Sequence, residues 1–164
     1  MKHPITQSRN GIAIYVNLLK SPAATHIAEQ PHLLSLIKEA LEQTNLKAPE
    51  IRMERDMGRD IGYDYVAETS EGDAIFYARL LREDTFMRFV KKGKPLATRY
   101  LTVILLRSEA GDYELRDTWV GRLSPPIPGH PDETPESKTY WSTHAHIFDR
   151  QPIQLRTITN ICPY

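Results

Sequence analysis

Residues 98–122, TRYLTVILLRSEAGDYELRDTWVGR, decide the fold. The first ten are β-branched or apolar on both faces, the composition of a strand in the middle of a sheet. SEAGD is a turn, and YELRDTWVG resumes an extended pattern. Two strands joined by so short a turn form an antiparallel hairpin. Strict alternation along the second strand puts Tyr113, Leu115, Asp117 and Trp119 on one face. Asp117 then sits among apolar neighbours, where a carboxyl is pushed toward its neutral form unless a cation or donors pair with it. Arg88 and Arg99, on neighbouring strands, are the candidate partners. A structural ion pair and a functional pocket both fit.

Upstream of this hairpin the period is also two. IRMERDM (51–57) places Ile51, Met53 and Met57 on alternate positions, and IGYDYVAET (61–69) does so with Ile61, Tyr63, Tyr65 and Ala67. AIFYARLL (74–81) puts Phe76, Ala78 and Leu80 on one side, and TFMRFVKKGKP (85–95) is another strand that ends in a basic turn. Further upstream the period changes to that of a helix. Ser21 and Pro22 open a helix over SPAATHIAEQ, as cap and first helical residue. In PHLLSLIKEALEQTN, Leu33, Leu36, Ile37, Ala40 and Leu41 fall on one stripe. The expectation is therefore an α+β fold, with N-terminal helices packed on a twisted antiparallel sheet of about five strands.

Downstream, SPPIPGHPDETPES carries five prolines in fourteen residues and excludes regular structure. It leads into a late helix starting at Thr134, whose TPES supplies a cap, a first-turn proline and an acid. Counting turns from there puts His144 on the helix and His146 at its frayed end. IQLRTITNI (153–161) reads as a last strand. The predicted core is Leu33, Ile37, Leu41, Phe76, Leu80, Phe86, Val103, Leu105, Leu115, Trp119 and Trp141. No repeat or composition break divides the chain, so residues 1–164 read as a single globular domain.

Composition narrows the function classes. Lys plus Arg (21) equals Asp plus Glu (21), so no global basic field drives nucleic-acid binding, and any such surface is local. The one cysteine, Cys162, allows neither a disulfide nor a thiolate zinc site within one chain. The N-terminal apolar run is short and broken by Asn17, unlike a signal peptide or a span. A cytoplasmic protein with no membrane partner is expected.

The segments IFYA, RFVK, TRYLTVIL, YEL…WVGR, a Pro-rich loop and PES…YW..HA occur in that order between residues 73 and 148. This pattern resembles a family of small prokaryotic proteins with no established activity, over about half the chain. A layout of helices followed by an antiparallel sheet is similar to that of the RelE, barnase and colicin group of small ribonucleases. That fold-level resemblance implies a ribonuclease of the toxin type, with RNA as substrate and a cognate antitoxin or other protein as partner. Fold analogy does not fix function.

The candidate site residues are His144, His146, Arg88, Arg99, Lys91 and Asp117. In RFVKKGKP and the strand after it, Arg88, Lys91, Lys92, Lys94 and Arg99 put five cations within twelve residues. Such a patch suits phosphate, and equally suits a hairpin that uses lysine to discourage edge pairing. Thr98 and Thr102 share a face with Tyr100 and are either phosphate-orienting hydroxyls or ordinary strand residues. On a helix His144 and His146 project about 200° apart and cannot share an ion. On a strand they would share a face, and His130 or Asp149 would have to complete a metal site. No metal and no cofactor is therefore expected. Neither a Gly-rich phosphate loop nor GxSxG nor HExxH is present.

Two functions stay open. One is metal-independent RNA cleavage, with Arg88, Lys91 and Arg99 on the phosphate and His144 or His146 moving the proton. The other is a non-catalytic interaction domain that docks through the Pro-rich loop, residues 124–133.

Overall fold

The computed structural model describes residues 1–91 and 93–164. In chain order the first elements are β1 (Lys2–Gln7), β2 (Ala13–Asn17), α1 (Pro22–Glu29), α2 (Leu33–Glu42) and β3 (Glu50–Asp56). β4 (Gly62–Asp64), β5 (Val66–Glu68), β6 (Ile75–Arg79), β7 (Phe86–Val90) and β8 (Leu96–Thr98) follow. The chain continues with β9 (Tyr100–Arg107), β10 (Tyr113–Val120), α3 (Pro135–Thr143) and β11 (His144–Ile147). This is an α+β protein.

The elements gather into two compact units, Met1–Gly62 with Ala97–Leu123, and Tyr63–Leu96 with Ser124–Tyr164. The first unit carries a five-stranded sheet in the order β1-β2-β10-β9-β3. The predicted hairpin β9–β10 is at its centre, and β3 pairs antiparallel with β9 over its whole length. On one face Leu101, Val103, Leu105, Tyr113 and Leu115 pack with Leu33, Ile37, Ala40 and Leu41 of α2. The helical stripe read from the sequence is the one that is buried.

A purely antiparallel sheet is not what forms. β2 pairs parallel with β10, through Ile14, Tyr15 and Val16 against Tyr113, Glu114 and Leu115. The helices accordingly do not come first: β1 and β2 precede them. Period two is present in AIYVN, where Ile14 and Val16 are buried, but five residues are a weak signal. The turn between β1 and β2 closes through Gly11, at φ 78°, in a conformation that glycine adopts without steric cost.

The second unit has a four-stranded sheet in the order β5-β11-β7-β6. It too is mixed, since β11 lies parallel to β7 and antiparallel to β5. Both faces are apolar. Phe76, Ala78 and Phe89 form one cluster, with Met87, Phe148 and Ile153 against it. Val90, Ala145 and Ile147 form the other, with Ala67 and Ile75. β4 and β8 make a separate two-stranded ribbon.

Three readings are corrected in this unit. The long strand expected over 61–69 is broken at Tyr65, where the Asp64 carboxylate accepts the Val66 N–H (2.9 Å) and bends the chain. The late helix starts at Thr134 as predicted, with the Thr134 N–H donating to Ser137 Oγ, but stops at Thr143. His144 is already extended (φ −126°, ψ 151°), because burying Ala145 and Ile147 together needs strand alternation. Residues 153–161 make a 3₁₀ turn, Leu155–Thr157, and two isolated bridges to β6 and its end instead of a strand. Leu155, Ile158 and Ile161 recur at every third position, a spacing that fits no single strand face, and all three are exposed.

Of the predicted core, Leu33, Ile37, Leu41, Phe76, Val103, Leu105, Leu115 and Trp141 are buried. Leu80, Phe86 and Trp119 are only half-buried. Among the described residues no helix is long and apolar enough to cross a membrane.

Trp141 holds the Pro-rich loop. Its ring is 2% exposed, and its Nε1–H donates to the Pro125 carbonyl at 3.0 Å. Replacing Trp141 with Ala should cost about 3–5 kcal/mol, the range for large buried aromatics. Urea denaturation checks this; an unchanged midpoint would show that the ring contributes nothing to packing.

Candidate acid–base site

The site begins with an irregularity in β10. Leu115 pairs with Leu105 and Asp117 with Ile104, so Arg116 is an extra residue, a β-bulge. A bulge shifts side-chain parity by one. Beyond it Thr118 pairs with Val103 and is fully buried, while Asp117 and Trp119 turn to the other face. The expected face of Tyr113, Leu115, Asp117 and Trp119 therefore splits after Leu115. Trp119 leaves the core, and its Nε1–H donates to the Arg122 carbonyl.

β2 pairs with β10 only as far as Leu115. Past that point α1 supplies polar partners for the strand. Ser21, at the start of α1, does not cap the helix as expected. Its hydroxyl instead reaches the carbonyls of Leu115 (2.7 Å) and Arg116 (2.8 Å). In the last turn of α1, His26 Nδ1 lies 2.9 Å from the Thr118 carbonyl and 3.1 Å from Asp117 Oδ1. Both neighbours can only accept, so Nδ1 carries the hydrogen and Nε2 of the neutral ring holds the lone pair. Asp117 Oδ1 also accepts the Thr118 N–H (2.8 Å).

The His26 side chain keeps 39% of its exposure and Asp117 keeps 32%. The hydrogen bond to Asp117 raises the His26 pKa above its usual 6.5; burial opposes this, and the Asp117 charge, the Thr118 carbonyl and Glu29 add to it. A carboxylate and a carbonyl orient the imidazole through one nitrogen, and the side chain stays partly exposed. That arrangement can take up and return a proton.

The six predicted residues fall in both units. Asp117 is in the first, paired with His26 instead of an arginine. Arg99, also in the first, is held by Asp56, Nε to Oδ1 at 2.6 Å. The other four are in the second unit. Arg88 Nη1 donates to Thr69 Oγ1 (2.9 Å) and to the backbone carbonyl of His144 (3.0 Å). Arg88 pairs across strands with Tyr77, whereas His146 pairs with Phe89, so the arginine and the imidazoles of β11 lie on opposite faces. Lys91 Nζ sits 5.2 Å from the Phe76 ring centre. Lys92, part of the same basic cluster, lies outside the described residues. Thr98 and Thr102 are buried; Thr102 Oγ1 donates to Gly121 O and Thr98 Oγ1 accepts the Tyr100 N–H.

Because β11 is a strand, His144 and His146 do share a face, contrary to the helical placement expected. Each is nonetheless committed to an aromatic neighbour. His144 stacks on Tyr140, with centroids 3.9 Å apart and planes within 5°, and its Nδ1 lies 3.0 Å from the Tyr140 carbonyl. His146 stacks on Trp141 (4.8 Å, 19°) and tilts over Phe89. Enclosure of the His146 ring pushes its pKa down to about 4, so it is neutral at physiological pH. Among the described residues no group of three His, Cys, Asp or Glu is placed to hold a metal ion.

His26 and Ser21 carry no motif and were not legible as site residues. The sequence signal is slight: two polar residues five positions apart on a short helix, and a strand that contains an isolated carboxylate. A smaller polar cluster was also missed: Tyr77, whose phenol burial pushes up, meets the Cys162 thiol and Arg88.

His146 makes an acid-stability prediction. Its folded pKa lies below its unfolded value, so the unfolded chain binds the proton first and stability falls as pH drops from 6.5 toward 4. A shift of this size corresponds to about 3 kcal/mol. His146→Phe should flatten that part of the stability–pH curve, measured by denaturant melts; an equally steep loss in the variant would assign it to other groups.

No protein-family profile, no curated protein and no solved structure matches this chain.

Proposed function

We propose that the chain cleaves RNA at the His26–Asp117 pair. The observation that carries this reading is the half-exposed imidazole anchored through Nδ1 to a carboxylate, with Nε2 left for a substrate proton. RNA suits a site of this kind because it brings its own nucleophile. Neutral His26 takes the proton of a 2′-hydroxyl, whose oxygen attacks the adjacent phosphorus. The P–O5′ bond breaks, a 2′,3′-cyclic phosphate forms, and the 5′-oxygen takes a proton from solvent. Asp117 steadies the imidazolium produced by the transfer. Arg116, exposed on the bulge and only loosely paired with Glu114 at 3.8 Å, is the nearest cation in sequence for the phosphate. Arg88, Arg99 and Lys91, the cations first expected there, are engaged elsewhere in this reading. A toxin-type enzyme of this kind would be held in check by a cognate antitoxin covering the pair.

A docking function is favoured by a different observation. Leu155, Ile158 and Ile161 are 77%, 46% and 79% exposed within seven residues, a concentration of apolar surface typical of contact sites. The Pro-rich loop is less suited, since residues 124–127 are half-buried and Pro128 is buried.

Short RNA oligonucleotides incubated with the purified protein in chelator test the first reading. Cleavage should stop when the 2′-hydroxyl at the cut site is replaced by hydrogen. The rate should rise with pH through a midpoint above 6.5, as neutral His26 accumulates. His26→Ala should lose about 10²–10⁴-fold, and Asp117→Asn should lower both rate and midpoint. An alanine variant as active as the wild type would sink this reading. Leu155→Asp with Ile161→Asp should leave cleavage unchanged if the reading holds.

A further inference from the structure

Ser21 has a hydrogen-bond arrangement that regular structure does not offer. Successive carbonyls along a strand point to opposite sides, so one side chain normally reaches only one of them. The Ser21 hydroxyl lies within 2.8 Å of two in succession, Leu115 O and Arg116 O. That is possible because the chain is bulged there and both carbonyls turn the same way. Ser21 is 6% exposed, so water is a poor substitute for its hydroxyl. The same residue starts α1, five positions before His26. It therefore touches both halves of the acid–base pair: the bulge that turns Asp117 outward, and the helix that carries His26.

We infer that Ser21 is a positioning residue that latches the Arg116 bulge and thereby holds Asp117 against His26. This rests on the reading of His26–Asp117 as the working pair. Without the hydroxyl, the buried Leu115 carbonyl and the part-buried Arg116 carbonyl lose the one hydrogen they share. The bulge then has less to keep it at Arg116, and a move by one residue returns Asp117 to the other face. His26 would keep its helix and lose its carboxylate. The groups that face His26 are Asp117 and the Thr118 carbonyl from β10 and Glu29 from its own helix. Of these, only the β10 pair depends on the bulge.

The test follows the His26 ring by NMR in the full chain, with no RNA present. In wild type the ring should titrate above the ordinary histidine value of 6.5, with the hydrogen on Nδ1 in the neutral form. Ser21→Ala should move the midpoint down toward that of Asp117→Asn and mix the two neutral tautomers. Ser21→Thr, which keeps the hydroxyl, should restore the wild-type titration. If the alanine variant does not fold, Ser21→Cys, of similar size and with a weaker donor, provides the same comparison. A folded alanine or cysteine variant in which His26 titrates as in wild type would overturn the inference, even with a lowered melting temperature. Because the titration needs no substrate, a wild type that fails to cleave RNA would sink the proposed function without touching this result.

Discussion

One extra residue in β10 governs the first unit. A regular strand from Tyr113 to Val120 would put Asp117 in the core and Thr118 outside it. With Arg116 bulged, the order is reversed: Thr118 is buried and gives its hydroxyl hydrogen to the Thr102 carbonyl. The core face stays continuous across the bulge, since Leu115 is followed by Thr118 and then Val120 against Leu105, Val103 and Leu101. The bulge also marks where pairing with β2 ends and where side chains of α1 take over. Strand parity, the helix contact and the carboxylate's position all follow from that insertion.

The second unit is organised by apolar contact on both faces of its sheet, which constrains every alternate residue of β11. Ala145 and Ile147 fill one face, leaving His144 and His146 on the other, against Tyr140 and Trp141 of the preceding helix. A helix followed at once by a strand folds its last turn back over its own continuation, so i and i+4 or i+5 meet as stacked rings. Phe76, Phe89 and Phe148 extend the aromatic packing, with centroids 5.2–5.8 Å apart. Both rings pack on aromatic neighbours, and a neutral His146 does so at lower cost than a charged one.

Much of the fold was legible where the apolar period was long. The α2 stripe, the β9–β10 hairpin and β3 all lie where their patterns put them, because burial of one continuous face admits only one register. Short elements were not legible. β2 and β11 have five and four residues, and each is fixed by a parallel neighbour distant in sequence. Alternation along β10 misplaces Asp117 for a subtler reason. Alternation is a local rule, and nothing in YELRDTWV marks Arg116 as unpaired; the bulge is stabilised by Ser21, 95 residues away. The candidate site inherits that difficulty: Asp117 stands out in the sequence as an unusual carboxylate, while its partner His26 looks like one more polar residue on a helix.

His26 and His146 show how one side chain is given two roles by its surroundings. Both contact aromatic or backbone groups, and both lose part of their solvent. Around His146 the neighbours are rings, which replace water and bring no carboxylate to pair a positive charge, so desolvation decides and the ring stays neutral. Around His26 desolvation is smaller than the pull of a hydrogen-bonded carboxylate, and the balance moves the other way. The sign of each shift therefore follows the partner: a carboxylate raises one, enclosure by rings lowers the other. Position in the fold sets that sign: His146 stands on a strand with both neighbours in sequence buried, whereas His26 stands at the end of β2–β10 pairing, where a bulged strand offers a carboxylate and a carbonyl together. There a charged form can be both paired and partly solvated.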